Sequence, residues 1–214
     1  MMALIKKEIR IFMRKRYQFF LLFAVVTVFA VALNSKNLYE FDPYVATSLI
    51  GALFVSYGFG WIAFLEEQKN KNISYLLASP LSMREIFLGK ILAVYFISVA
   101  LTIWGLLAGF ITSTFSGGGS VPTLEAIIIS LIALPIWSGV LSGLLGIGLL
   151  VFGNPLIIRM ALFLLIYFVA LNKQVWIKVS QMGLINYIAV FTGLFLVFGI
   201  VYIVGFFSKE LIQQ

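Results

Sequence analysis

The sequence predicts an all-α membrane protein, and three observations predict it. Hydrophobic residues fill 62% of the 214 positions and charged residues only 11%, where a soluble chain carries about 25% charged residues. A soluble domain of this size could not cover so much apolar surface. The apolar residues fall in runs separated by short polar stretches, and a run of roughly 20 is what a bilayer-crossing helix needs. The third observation is the placement of the fifteen Lys and Arg residues, which cluster in alternate polar stretches as the positive-inside rule requires. Six spans in one domain, 1–214, account for the pattern.

Residues 1–18 carry Lys6, Lys7, Arg10, Arg14, Lys15 and Arg16 spread along the whole stretch. No small-residue cleavage site follows, so a removed signal peptide is not expected. Leu4, Ile5, Ile9, Phe12 and Met13 recur at helical spacing, and Lys7, Arg10 and Arg14 share the opposite face. Such a helix lies in the inner interface, held by anionic lipids and its apolar side chains. The cations also serve as a plain topogenic signal.

Span one is 19–33, short unless Tyr17 and Gln18 extend it, and 34–43 is a polar loop with Glu40 and Asp42. Span two, 44–65, is rich in glycine and aromatics; span three is 91–115. Residues 116–122 form a glycine-rich turn, not a phosphate loop, because no Gly-Lys-Ser/Thr follows. Span four, 124–152, exceeds bilayer length, and a tilt or a kink at Pro135 would absorb the excess. Its Gly139, Gly143, Gly146 and Gly148 allow close helix approach. Span five is 156–171 and span six 184–207. Between them, Val175, Trp176, Val179 and Met182 recur at helical spacing in 174–182, either as an interfacial helix or as a segment re-entering the membrane.

With the N-terminus inside, the cytoplasmic segments hold Lys6, Lys7, Arg10, Arg14, Lys15, Arg16, Lys69, Lys71, Arg84, Lys90, Arg159 and Lys209. The outer segments hold Lys36, Lys173 and Lys178. Twelve against three places both termini in the cytoplasm of a multi-pass cell-membrane protein.

The longest polar interruption, 65–92, reads LEEQKNKNISYLLASPLSMREIFLGKIL. Glu66 and Glu67 end the incoming span as loop or hinge charges. Asn72 can cap a short helix from Ile73 to Ala78, which Pro80 stops. Ser82 and Glu85 then form a Ser-x-x-Glu capping box that starts the next helix, with Arg84 inside it. Ile73, Leu76 and Leu77 share one face of the short helix. That face either packs on the protein's own spans and headgroups or docks a soluble partner.

This run resembles the first cytoplasmic loop of ABC type-2 transporter permeases, the membrane subunits of a class of ATP-driven exporters. The residues that carry the resemblance are Glu66, Glu67, Leu76, Leu77, Ser79, Pro80, Leu81, Ser82, Glu85, Ile86, Gly89 and Lys90. Lys71, Asn72 and Ser74 stand where the family has glycine, threonine and glutamate. The match covers 65–92; elsewhere the likeness is architectural.

The resemblance implies a coupling helix between spans two and three that docks in a cleft of a separate ATPase subunit through Ile73, Ser74, Leu76, Leu77, Ser79 and Pro80. It implies a dimer, with a second copy or a similar permease, bound to two ATPase subunits that hold the ATP and magnesium. Spans two and five would line a substrate path between the permeases.

The chain itself is not expected to be an enzyme. It has no cysteine and no histidine, which removes thiolate sites and the commonest metal ligand. No metal site, Walker motif or nucleic-acid partner is expected. Glu66-Glu67 is similar to the paired glutamates of an intramembrane protease family, but those sites need histidines. Glu125 and Arg159, at the ends of spans four and five, leave few charges in mid-membrane, which weighs against a proton- or sodium-coupled carrier. A carrier or channel working without ATP, and a non-transporting scaffold, are the other readings.

Overall fold

The computed structural model describes residues 2–35, 42–66, 81–117, 121–152 and 185–206, with positions 160, 163, 164 and 167. Every regular element among them is helical. In chain order these are α1 (Met2–Arg14), α2 (Arg16–Asn34), α3 (Pro43–Trp61) and α4 (Met83–Phe115). They are followed by α5 (Leu124–Ile128), α6 (Leu134–Phe152) and α7 (Ile185–Val204). Two π-helical turns interrupt the series: π1 (Ile62–Glu66) continues α3, and π2 (Ile129–Ala133) joins α5 to α6.

Among the described residues, four helices are long and apolar enough to cross a membrane: Arg16–Asn34, Pro43–Phe64, Met83–Phe115 and Leu124–Leu149. This fits a multi-pass membrane protein. It is four where the sequence led us to expect six. The apolar stretch of the expected sixth span, Ile188–Val204, is shorter than those four. The fifth, 156–171, lies outside the described residues except for Met160, Phe163, Leu164 and Tyr167, which are helical and exposed.

The N-terminal amphipathic pattern ends earlier than expected. Lys15, with φ −85° and ψ 65°, breaks the helix, so Tyr17 and Gln18 belong to α2 rather than to α1. Burial lowers the pKa of the Lys15 ammonium from its ordinary value. On α1 the cations Lys6, Lys7, Arg10 and Arg14 are exposed and Leu4, Ile5 and Phe12 are buried. Met13, expected on the apolar face, is exposed, because it follows Phe12 by one residue and so lies about 100° around the helix. Glu8 occupies the inner row instead, one turn from both Leu4 and Phe12.

Helix α3 starts on Asp42, whose Oδ1 accepts the backbone N–H of Tyr44 at 2.8 Å and of Val45 at 3.3 Å, with Pro43 in the first turn where its missing N–H is harmless. It packs against α2, α4 and α6 and forms the centre of the bundle. Pro43–Phe64 is 76% buried, against 22% for Arg16–Asn34.

At Pro135 the fourth span changes its hydrogen-bond register. Proline removes a donor and crowds the carbonyl four residues back; here the chain widens into π2 just before it, and the Leu134 N–H reaches the Ile129 carbonyl. The glycines of α6 do bring helices together. A β-carbon at Gly139 or Gly143 would press on Ile91 of α4, and one at Gly146 would lie 2.6 Å from Phe64 and 2.8 Å from Phe87.

Polar bonds tie the helices where apolar packing alone gives little direction. Ser56 donates to the Ser138 carbonyl at 3.2 Å, joining α3 to α6. Trp104 Nε1 donates to Thr27 Oγ1 at 2.9 Å, joining α4 to α2. Trp137 Nε1 donates to the Ala189 carbonyl at 3.2 Å, joining α6 to α7. Such bonds hold helices together in apolar surroundings.

Candidate functional site beneath the 67–80 segment

The docking residues expected from the sequence, Ile73, Ser74, Leu76, Leu77, Ser79 and Pro80, lie outside the described residues, as does Glu67. Glu66 closes π1. Both ends of the segment that carries them are described. Residue 66 leaves π1, and residue 81 enters the head of α4.

The head of α4 is fixed by the expected capping box. The Glu85 N–H donates to Ser82 Oγ at 3.3 Å, and the Ser82 N–H donates to Glu85 Oε2 at 2.8 Å. Two orphan donors of the first turn are satisfied reciprocally. Glu85 thus caps its own helix. Arg84, one residue earlier, is exposed and turns toward the end of α7. Its guanidinium lies 5.7 Å from the centre of the Tyr202 ring, close enough for a cation–π attraction. A β-carbon at Gly205 would collide with that guanidinium. The carbonyls that end α7 also favour a cation there.

The second turn of α4 holds the arrangement that the sequence did not reveal. Gly89 admits the Leu4 side chain of α1, where a β-carbon would lie 2.5 Å from Leu4 Cδ2. Lys90 is 3% exposed and Glu8 1%. Lys90 Nζ stands 3.6 Å from Glu8 Oε1, a charge-pair distance rather than a hydrogen bond. The same ammonium donates to the Ala63 carbonyl in π1 and lies 5.2 Å from the centre of the Phe64 ring. Among the described residues, Glu8 and Lys90 are the buried charged side chains.

The chemistry of the partners accounts for this geometry. An ammonium out of water needs an opposite charge and further acceptors. The Ala63 carbonyl suits the role because it belongs to the last described turn of the α3–π1 helix. Its own helical donor would come from residue 67 or 68, and a carbonyl has a second lone pair besides. Three elements thus meet at the first two turns of α4: α1 through Glu8 and Leu4, π1 through Ala63 and Phe64, and α7 through Tyr202.

No family model, curated protein or solved structure matches this chain. The site therefore rests on its own geometry.

Sequence reasoning counted Lys90 among the cytoplasmic-side cations without a partner for it, and left Glu8 out of the apolar face. One signal was available. Glu8 is the lone acid among the cations of α1, and its spacing of four from Leu4 and Phe12 puts it on the face that packs. A charge in that row needs a buried partner of opposite sign. Among the described residues, no group of three or more metal-ligating side chains comes together, and nothing in the arrangement around Lys90 resembles acid–base or nucleophilic machinery. What it can do is mechanical: tie three helices to the exit of one loop.

Proposed function

We propose that this chain is the membrane-embedded permease subunit of an ATP-driven exporter, with ATP and magnesium bound by a separate ATPase subunit. In this reading six spans cross the cell membrane, both termini are cytoplasmic, and α1 lies at the inner interface. The helix expected over Ile73–Ala78 docks into the ATPase. Two permeases, identical or similar, assemble with two ATPases.

The observation that carries this reading is the seat of the 65–92 loop. A loop that only reversed the chain could join two independent helices. Here both ends of the loop are bound to each other through Lys90 and the Ala63 carbonyl, and to α1 and α7 through Glu8 and Arg84. A displacement applied to the loop by a partner therefore enters the bundle at its best-connected point. The likeness of the loop sequence to ABC type-2 permeases names the kind of partner. A carrier working without ATP is less favoured. The two buried charges among the described residues face each other at one end of the helices instead of marking a path through them.

The test is a search for an ATPase encoded beside the chain and a pull-down of that ATPase, with the permease in nanodiscs. Burying a leucine contributes roughly 1.5–3 kcal/mol, and an unpaired carboxylate in its place adds a desolvation cost of a few kcal/mol. About 1.4 kcal/mol is tenfold in affinity, so Leu76→Asp and Leu77→Asp should weaken association by two decades or more. The melting temperature of the permease alone should stay unchanged. Undiminished binding in both variants would remove the docking helix from this role, and an absent ATPase would remove the exporter.

A further inference from the structure

We propose that α4 and π2 hold a water molecule between them, halfway along α4, with Ser98, Thr102 and the hydroxyl and carbonyl of Ser130 as its partners. This site stands apart from the permease reading and does not depend on it.

Ser98 is 1% exposed, Thr102 2% and Ser130 0%. None of their hydroxyls has a hydrogen-bond partner among the described residues. Thr47, Ser48 and Ser56, equally buried, each bond a carbonyl of the preceding turn. Register brings the three orphans to one seam. A β-carbon at Gly139 or Gly143 would press on Ile91 and one at Gly146 on Phe87, so α4 and α6 run antiparallel. Ser98 lies two turns beyond Ile91 on the same face of α4, and Thr102 one turn beyond Ser98. On the other helix Pro135 lies one turn before Gly139. Ser130 lies one π turn before Pro135, just as Ile129 lies before Leu134, whose N–H reaches the Ile129 carbonyl. Ser130 therefore shares the line of Gly139 and Gly143 that faces α4. The adjacent line, Ile129 and Leu134, packs instead with Val45 and Ala52 of α3. At 1.5 Å per residue, Thr102 and Ser130 each stand about 16 Å from the Ile91 contact, and α4 packs against π2.

Ser130 contributes a second orphan. In the π register its carbonyl would accept from residue 135, and Pro135 has no N–H to give. Polar groups left unsatisfied in apolar surroundings are costly. No charge stands on the seam: among the described residues the buried charged side chains are Glu8 and Lys90, and Lys90 lies two turns before Ser98 on α4. The partners are three hydroxyls, which donate or accept, and a carbonyl, which accepts. They suit a small neutral molecule that does both. Buried water makes about three hydrogen bonds to groups otherwise left without one, and ordered water satisfies backbone groups freed by proline in membrane helices.

The experiment is proton-detected solid-state NMR of the full chain in deuterated bilayers, reading magnetisation transfer from water to protons of Thr102 and Ser130. Transfer is expected at both residues. Ser98→Ala combined with Thr102→Val removes every proposed partner on α4 and should abolish it at Ser130, while Thr102→Ser should keep it. A parent chain without transfer at either residue would overturn the site, including the case of a direct Thr102–Ser130 hydrogen bond. Transfer at Ser130 that survives the α4 variant would overturn it as well, because the water would then not lie between the two elements. Should the α4 variant not accumulate, melting of single variants in nanodiscs decides. Thr102→Val and Ser130→Ala should each lower the melting temperature by about 2–4 °C, the shift for one lost hydrogen bond in a chain of this size. Together they should cost little more than the larger single loss, since both remove the same water. Additive losses, or a gain on replacing a dry hydroxyl, would refute the shared site.

Discussion

At the scale of single residues, the Glu8–Lys90 pair and the glycines of α6 decide how the helices meet. Removing one member of a buried ion pair leaves the other desolvated, which typically costs about 3–5 kcal/mol, whereas replacing both with apolar groups is often near neutral. Lys90→Met should therefore lower the melting temperature of the purified chain markedly, and Glu8→Leu combined with Lys90→Met should recover most of the loss. A double variant as unstable as the sum of the two single ones would show that the pair is not energetically linked. Gly146 offers an independent test. A methyl there would meet Phe64 and Phe87 at 2.6–2.8 Å, and overpacking costs about 1–3 kcal/mol. Gly146→Ala should thus destabilise, while Gly199→Ala, with nothing within 4 Å of its β-carbon, should not. The spacing of the α6 glycines was legible in the sequence as a close-approach signal, but their partners were not. Ile91 and Phe64 belong to segments whose register against α6 is set by packing. The burial of Lys90 was not legible for a related reason. A lysine beside a membrane edge looks the same in sequence whether it faces water or a carboxylate on another helix.

At the scale of elements, the signals written in local chemistry were the ones that could be read. The Ser82–Glu85 box is complete within a few residues, so it forms wherever the chain goes; the Asp42 cap before Pro43 is as local, but Asp42 was read only as part of a polar loop. Losing an N-cap side chain costs about 1 kcal/mol. Ser82→Ala should therefore increase hydrogen exchange at Arg84 and Glu85 and leave the exchange of α6 unchanged. Ser82→Asp should restore protection, because aspartate caps equally well. If exchange in the first turn does not respond, the box is not what holds the head of α4. The two π turns were not legible. Their residues, Ile62–Glu66 and Ile129–Ala133, are ordinary helix formers. The second turn reflects the donor that Pro135 lacks. The first stands where Lys90 donates to the Ala63 carbonyl and the Phe87 ring packs on Phe64. The break between α1 and α2 at Lys15 was misplaced by three residues because the cations run unbroken across it.

At the scale of the whole molecule, composition alone announced a membrane-embedded helical protein, and four helices of spanning length agree with it. The expected orientation has its own test. Gly118→Cys should react with an impermeant thiol reagent added outside intact cells, and Asn70→Cys only after lysis; the opposite pattern would invert the topology. The proposed assembly should show a two-to-two mass when purified with its ATPase, and a one-to-one complex that still transports would exclude it. Which helix lies at the centre was not legible, because a buried span and a peripheral one have similar hydropathy, and only the arrangement of all helices distinguishes them. The central place of α3 also bears on how the protein is made. Thr47, Ser48 and Ser56 are buried on α3, and Ser56 finds the Ser138 carbonyl on a helix synthesised much later. Until α6 leaves the ribosome, α3 must wait in the membrane without its partner at Ser138, its hydroxyls bonded only to carbonyls of its own turns. A nascent chain stalled after α4 should then be held by the insertion machinery or degraded, and release into the bilayer should come only when α6 closes over α3.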